Sequence, residues 1–277
     1  MGPGKREAMS PPAGSELLVN GPADAAATVP EGGAGGMTPA GPVRVAAADG
    51  CRWGWIGLSR AGDGPVSARL CGSAEELVNQ LEALEPRPGV LLIDMPIGLP
   101  QQGGRVCDQA ARERLGARRS SLFPAPIRPV LAAASWDEAC AIRERLEGKR
   151  MSRQSWNITA KVREVDALLQ ARPELRGWLR EVHPELSFST LAGAPLAHAK
   201  KTPSGKQLRQ ELVAASFGNG AYDAVRVRFR RTAVADDDIL DAFAALWSAE
   251  RLLNGNATVL PSTPEHDATG LAMEIVV

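Results

Sequence analysis

Eighteen residues near the C-terminus, DDDILDAFAALWSAERLL (Asp236 to Leu253), restrict the fold of this chain more than any other stretch. They contain no Gly or Pro, and Ile239, Leu240, Phe243, Leu246 and Trp247 recur at helical spacing. A carboxylate at the start of a helix satisfies orphan N–H groups and suits the positive end of the dipole, which accounts for Asp236 or Asp237 as the cap. Asp241 lies beyond the first turn, where that benefit has faded. Asp238 and Asp241 are three residues apart and share one face, which continues through Ala242, Ala245 and Ala249. A helix with so little bulk on one side can lie close against a sheet and carry two acids to its edge. Like charges that close repel unless a cation or a proton joins them.

The sheet is expected upstream. VRVAAAD places Val43, Val45, Ala47 and Asp49 on one side of a strand. A turn at Gly50, a strand from Trp53 to Ser59 and another from Val66 to Cys71 complete an antiparallel meander. Ser73 and Glu76 form a capping box for a helix with Leu77, Val78, Leu81 and Leu84 on its apolar stripe. Val90 to Ile93 is an apolar run typical of a strand covered on both faces, and it ends at Asp94. Strand, helix and strand in this order imply a right-handed crossover and parallel pairing with the first strand. Asp49 and Asp94 then share the C-terminal edge of an α/β sheet, where ligands bind.

Between Gly98 and Pro129 only a helix at about 108–115 is expected. Arg118 and Arg119 precede Ser120 and Ser121, a combination that suits phosphate oxygens or a solvated loop equally. Helices follow at 136–147 and 155–171, the second stopped by Pro173. LREVHPELSF (179–188) reads as extended, with Glu181, His183 and Glu185 on one side and Pro184 kinking it. A carboxylate near an imidazole, here Glu185 near His183, can ligate metal or orient water. His198, Lys200, Lys201, Lys206 and Arg209 form a basic run leading into a helix at about 205–217. Arg226, Arg228, Arg230 and Arg231 form another; such runs follow a polyanion or make a solvated face. Leu271 to Val277 is expected to close the chain as a short strand.

Composition limits the partners. Lys plus Arg and Asp plus Glu number 32 each, so nucleic acid would have to be held by local patches, not by bulk charge. The four cysteines form no CxxC pair, and with three histidines they argue against zinc. With no export signal, a reduced cytoplasmic setting is expected, and no apolar run reaches membrane-spanning length. The first 42 residues hold 9 Gly and 7 Pro and read as a disordered Gly/Pro/Ala-rich tail.

Asp49, Asp94, Asp238 and Asp241 thus converge on an all-oxygen site of the kind that selects Mg²⁺ or Mn²⁺. Two such ions can activate water and stabilise the leaving oxygen of a phosphodiester. DGCRWGW (49–55), DMPIGLP (94–100), RRSSLFPAP (118–126), EVHPELSF (181–188) and DDDILDA (236–242) resemble the uncharacterised domain family 429 (DUF429), predicted to be RNase H-like nucleases. The resemblance covers Val43 to Val277, and DILDA is also similar to the DxxDA of RuvC-type junction resolvases. It implies an RNase H-like domain over 43–277, an α/β fold with a mixed five-stranded sheet and flanking helices. A helical insertion at about 98–178 is absent from simple RNase H domains, as is the EVHPE segment. Asp49 becomes the first-strand acid, Asp94 the fourth-strand acid, and Asp238 with Asp241 the helix pair. The function expected is metal-dependent nucleic-acid cleavage, with Glu185 also at the site and Arg118, Arg119, Ser120, Lys200 and Lys201 on substrate phosphates. The alternative is a non-catalytic protein of this fold that binds nucleic acid or a partner. An actin-like kinase fits less well, because Gly50-Cys51-Arg52-Trp53-Gly54 has no hydroxyl to cradle phosphate.

Overall fold

A computed structural model describes residues 42–277; the expected tail lies outside them except for its last residue. Strands β1 (Arg44–Cys51), β2 (Gly54–Ala61) and β3 (Ser67–Cys71) form an antiparallel meander. The hairpin turn is Arg52-Trp53, because Cys51 pairs with Gly54, so Gly50 belongs to the strand instead of the turn. Gly54 has φ +132° and any Cβ there would run into the Cys71 carbonyl, which reserves the position for glycine.

Helix α1 (Ala74–Glu82) begins at the expected cap: Ser73 Oγ accepts from Glu76 N at 3.1 Å. The chain then enters β4 (Leu91–Ile93), parallel to β1, and later β5 (Leu179–Glu181), parallel to β4. The order β3-β2-β1-β4-β5 is a mixed five-stranded sheet with flanking helices, consistent with an RNase H-like fold. Between β4 and β5 run α2 (Val106–Leu115), α3 (Trp136–Glu147), α4 (Arg153–Ala171) and short 3-10 turns.

Strand alternation sorts the core into two faces. Ala46, Ala48, Leu91 and Ile93 join Leu77 and Leu81 of α1 and Val162, Val165 and Leu169 of α4. Val45, Ala47 and Leu92 face the opposite way, onto α8 (Asp236–Leu253). Asp49 has the parity of Val45 and Ala47, so pairing register alone turns it toward α8. Ala242, Ala245 and Ala249 are fully buried where that helix lies on the sheet. Ala245→Leu adds bulk at this contact and is expected to cost about 1–3 kcal/mol. A lower urea midpoint at unchanged slope would show it, and no shift would mean that the contact is loose.

One expected segment differs. After Glu181 the chain becomes helix α5 (Pro184–Leu191), because Pro184 occupies the first helical turn, where its missing N–H costs nothing. Glu181, His183 and Glu185 therefore do not line one strand face. The C-terminal strand exists as β7 (Ala272–Val276), but it pairs with β6 (Val259–His266) in a separate two-stranded sheet. Pro261 and Pro264, with a register shift between Leu260 and Glu265, hide β6 from strand patterns. Helices α6 (Pro203–Phe217) and α7 (Ala221–Arg226) precede α8. Among the described residues no helix is long and apolar enough to cross a membrane, and all four cysteines are free and buried.

Candidate metal centre

Three elements deliver three carboxylates to one point. Asp49 sits near the end of β1, and the N–H of Gly50 donates to its Oδ1 at 2.7 Å. Asp94 follows β4 directly, and its N–H donates to the Ala48 carbonyl at 3.0 Å, extending the β1–β4 ladder by one bond. Asp241 lies in the second turn of α8 and is buried, as is Asp49, while Asp94 is half-buried. One oxygen from each lies within 4.8 Å of the others, an arrangement compatible with a metal ion.

The group repels itself. Burial, then the charges of Asp94, Asp241 and Asp238, raise the Asp49 carboxyl well above the usual range. Burial and the charge of Asp241 push Asp94 up to about 8. Asp241 is raised by burial, against the opposing pull of Lys200. Lys200 Nζ donates to Asp241 Oδ2 at 2.7 Å and stands 3.8 Å from Asp237, so an ammonium already occupies part of the field a cation would use. Lys200→Met is expected to tighten Mn²⁺ binding severalfold at pH 8 by calorimetry. Unchanged affinity would show that the ammonium does not compete.

Asp238 is placed differently. The helix cap is Ala235, not Asp236 or Asp237, and Asp238 Oδ2 accepts the Ala235 N–H at 2.8 Å. It stands outside the group of three, although its charge reaches Asp49. Asp236 is tied to Lys206, Arg226 and Arg231; burial would raise its carboxyl, but the bonds to Lys206 and Arg231 outweigh it and bring it down to about 2. Two members of the arginine run are thus spent on fixing the start of α8.

Glu185 lies in the first turn of α5 with both oxygens engaged, Oε1 by Arg118 at 3.0 Å and Oε2 by the buried Arg209 at 2.6 Å. Arg118, Glu185 and Lys200 line one cavity of about 320 Å³ together with Asp94 and Asp241. Ser121 is on its wall, whereas Arg119 and Ser120 are exposed, and Arg119 lines a separate depression with Gln109 and Arg112. Lys201 is exposed and borders a second groove with Arg52 and Lys206.

The support of Asp94 is a buried fork that local patterns did not disclose. Arg105 donates to both oxygens of Glu181, at 2.6 and 2.8 Å, and to Asp108 Oδ1 at 2.5 Å. Glu181 Oε2 also accepts the Ile97 N–H at 2.8 Å, which anchors the segment that follows Asp94. Burial raises Glu181 to about 7 against the opposing pull of Arg105. The only sequence signal was the i,i+3 spacing of Arg105 and Asp108; Glu181 comes from another strand.

Residues 48–266 match a family described as "Protein of unknown function (DUF429)". No curated protein and no solved structure matches the chain.

Proposed function

Because the chain belongs to the DUF429 family, described as proteins of unknown function, we propose its activity from the site: divalent-cation-dependent hydrolysis of a phosphodiester bond in DNA or RNA. The observation that carries this reading is the convergence of Asp49, Asp94 and Asp241 at the strand-end edge of an RNase H-like sheet. Three carboxylates are hard oxygen donors, suited to Mg²⁺ or Mn²⁺, and they leave coordination positions for water and phosphate. When bound, such a cation supplies Lewis acidity that makes water a better nucleophile and stabilises the leaving oxygen.

The residues of the chain do the rest. Asp49, Asp94 and Asp241 would hold the cation, and the charge of Asp238 would add to their field. Lys200, released from Asp241, would meet a phosphate oxygen. Arg118 faces the same cavity, and Glu185 holds its guanidinium in place. Hydrolysis adds the oxygen of water to phosphorus and breaks one phosphorus–oxygen ester bond. One water proton ends on the leaving alkoxide and the other in solvent.

The test offers the purified chain single-stranded, duplex, branched and hybrid nucleic acids with Mg²⁺ or Mn²⁺. Cleavage should require the cation and disappear in Asp241→Asn. Inactivity on every substrate, with Mn²⁺ shown to bind, would leave a non-catalytic binding protein instead.

A further inference from the structure

The cavity beside the carboxylates is small and chemically two-sided. Its volume, about 320 Å³, is at the low end of the roughly 300–1,000 Å³ typical of small-molecule sites. Protein–DNA contacts that follow a duplex instead spread over roughly 1,000–2,500 Å² of protein surface. Asp94 and Asp241 make one part of the wall acidic. Met95, Pro96, Leu122, Phe123 and Ile158 supply apolar surface, with Phe123 half exposed as an aromatic face.

Arg118 supplies the opposite charge. Arg118 and Arg209 share the carboxylate of Glu185, and the charge of Arg209 also acts on Asp241. Arg118 donates to Glu185 only through Nε, and among the described residues its two terminal NH₂ groups have no protein acceptor. A guanidinium with free N–H groups beside an apolar pocket suits a phosphate attached to a flat, stackable body. His183 is also on the wall; its Nδ1 is buried and has no hydrogen-bond partner among the described residues.

We propose that this cavity takes the terminal nucleotide of a single nucleic-acid strand, with its terminal phosphate on Arg118 and the phosphodiester to the next residue at Asp49, Asp94 and Asp241. The proposal rests on the phosphodiester reading above and adds a substrate class to it: strand ends, trimmed one nucleotide at a time. Apolar walls and an aromatic rim are the chemistry by which sites receive an unstacked base. Each turnover adds one water across the phosphodiester between the terminal and the second nucleotide, breaks one of its phosphorus–oxygen ester bonds with a proton ending on the leaving alkoxide, and releases a mononucleotide and a strand shorter by one.

The experiment compares one sequence in three forms with Mn²⁺: linear with a terminal phosphate, at the 5′ or 3′ end in separate arms, linear without it, and a covalently closed single-stranded circle. The phosphorylated strand should shorten in single-nucleotide steps from one end and the circle should resist. Loss of the terminal phosphate should slow the reaction about tenfold to a hundredfold, as for a charged hydrogen bond. In parallel, a nucleoside monophosphate is titrated with Ca²⁺ present. Arg118→Gln should weaken its binding at least about tenfold, and Ser121→Trp, which fills the cavity, should remove it while cation binding persists. A circle cut as fast as the linear strand, or binding indifferent to both variants, would overturn the end-trimming proposal and leave the nuclease reading standing. No cleavage of any form with Mn²⁺ bound would remove both.

Discussion

Asp94→Asn is expected to abolish cation-dependent cleavage and, in the same protein, to raise the stability of the metal-free fold at pH 8. The activity should fall by roughly a thousandfold or more, the scale seen when a preorganised charge-stabilising group is lost. The gain in stability follows from the repulsion among Asp49, Asp94 and Asp241. Burial and Asp241 raise the folded-state Asp94 carboxyl from the usual 3.8 to about 8. A group raised in this way contributes its full stability below pH 4 and loses it as the pH climbs through 8. The metal-free wild type should therefore weaken between pH 4 and pH 8. In Asp94→Asn that contribution to the slope should vanish. Added Mn²⁺ should restore the wild type at pH 8, by about 2.7 kcal/mol at a hundredfold excess over Kd, and leave the variant unchanged. Melting curves across pH, with and without Mn²⁺, read all of this. A variant less stable than wild type at pH 8 without metal would mean that Asp94 is a structural residue.

The second large effect is expected at Arg105, about 3–5 kcal/mol of lost stability in Arg105→Met. Arg105, Asp108 and Glu181 are all buried, and the variant would leave two carboxylates without their cation. Glu181 already sits near 7 because burial raises it, and removing the guanidinium moves it further up. Its folded-state value is raised, so the penalty should be smaller at pH 5, where it is protonated, than at pH 8. Because Glu181 also holds the Ile97 N–H, Asp94 should lose its fixed position and Mn²⁺ affinity should drop as well. Urea titrations at both pH values measure the first effect and calorimetry the second. A loss below about 1 kcal/mol at both pH values would show that the fork is replaceable, as some buried ion pairs are.

Those two residues mark where sequence patterns reach and where they stop. Asp94 was visible because an apolar run that ends in an acid reads as a buried strand with its acid at the edge. Asp49 was visible because it keeps the parity of Val45 and Ala47, and the alanine strip of α8 showed how closely that helix could approach. All of these are local periodicities. The pairing of Arg105 with Glu181 was invisible, since only the fold brings the start of α2 to β5. Arg209 and Arg226 belong to runs that read as solvated faces or polyanion tracks, yet each is buried on a distant or looped-back carboxylate. Pro184 was ambiguous in kind: the same residue kinks an extended segment or opens a helix, and packing of α5 against α8 decides for the helix. Asp238 shows the converse. Its spacing from Asp241 shares a face as expected, but its carboxylate is turned back to the Ala235 N–H.

The central claim is that Asp49, Asp94 and Asp241 capture a divalent cation. Crystals grown at pH 8 and soaked in Mn²⁺, with anomalous diffraction recorded, test it most directly. An anomalous peak within coordination distance of all three carboxylates, lost in Asp241→Asn, is the result expected. A fully occupied peak elsewhere, with Lys200 still bonded to Asp241 and the three acids empty, would contradict it.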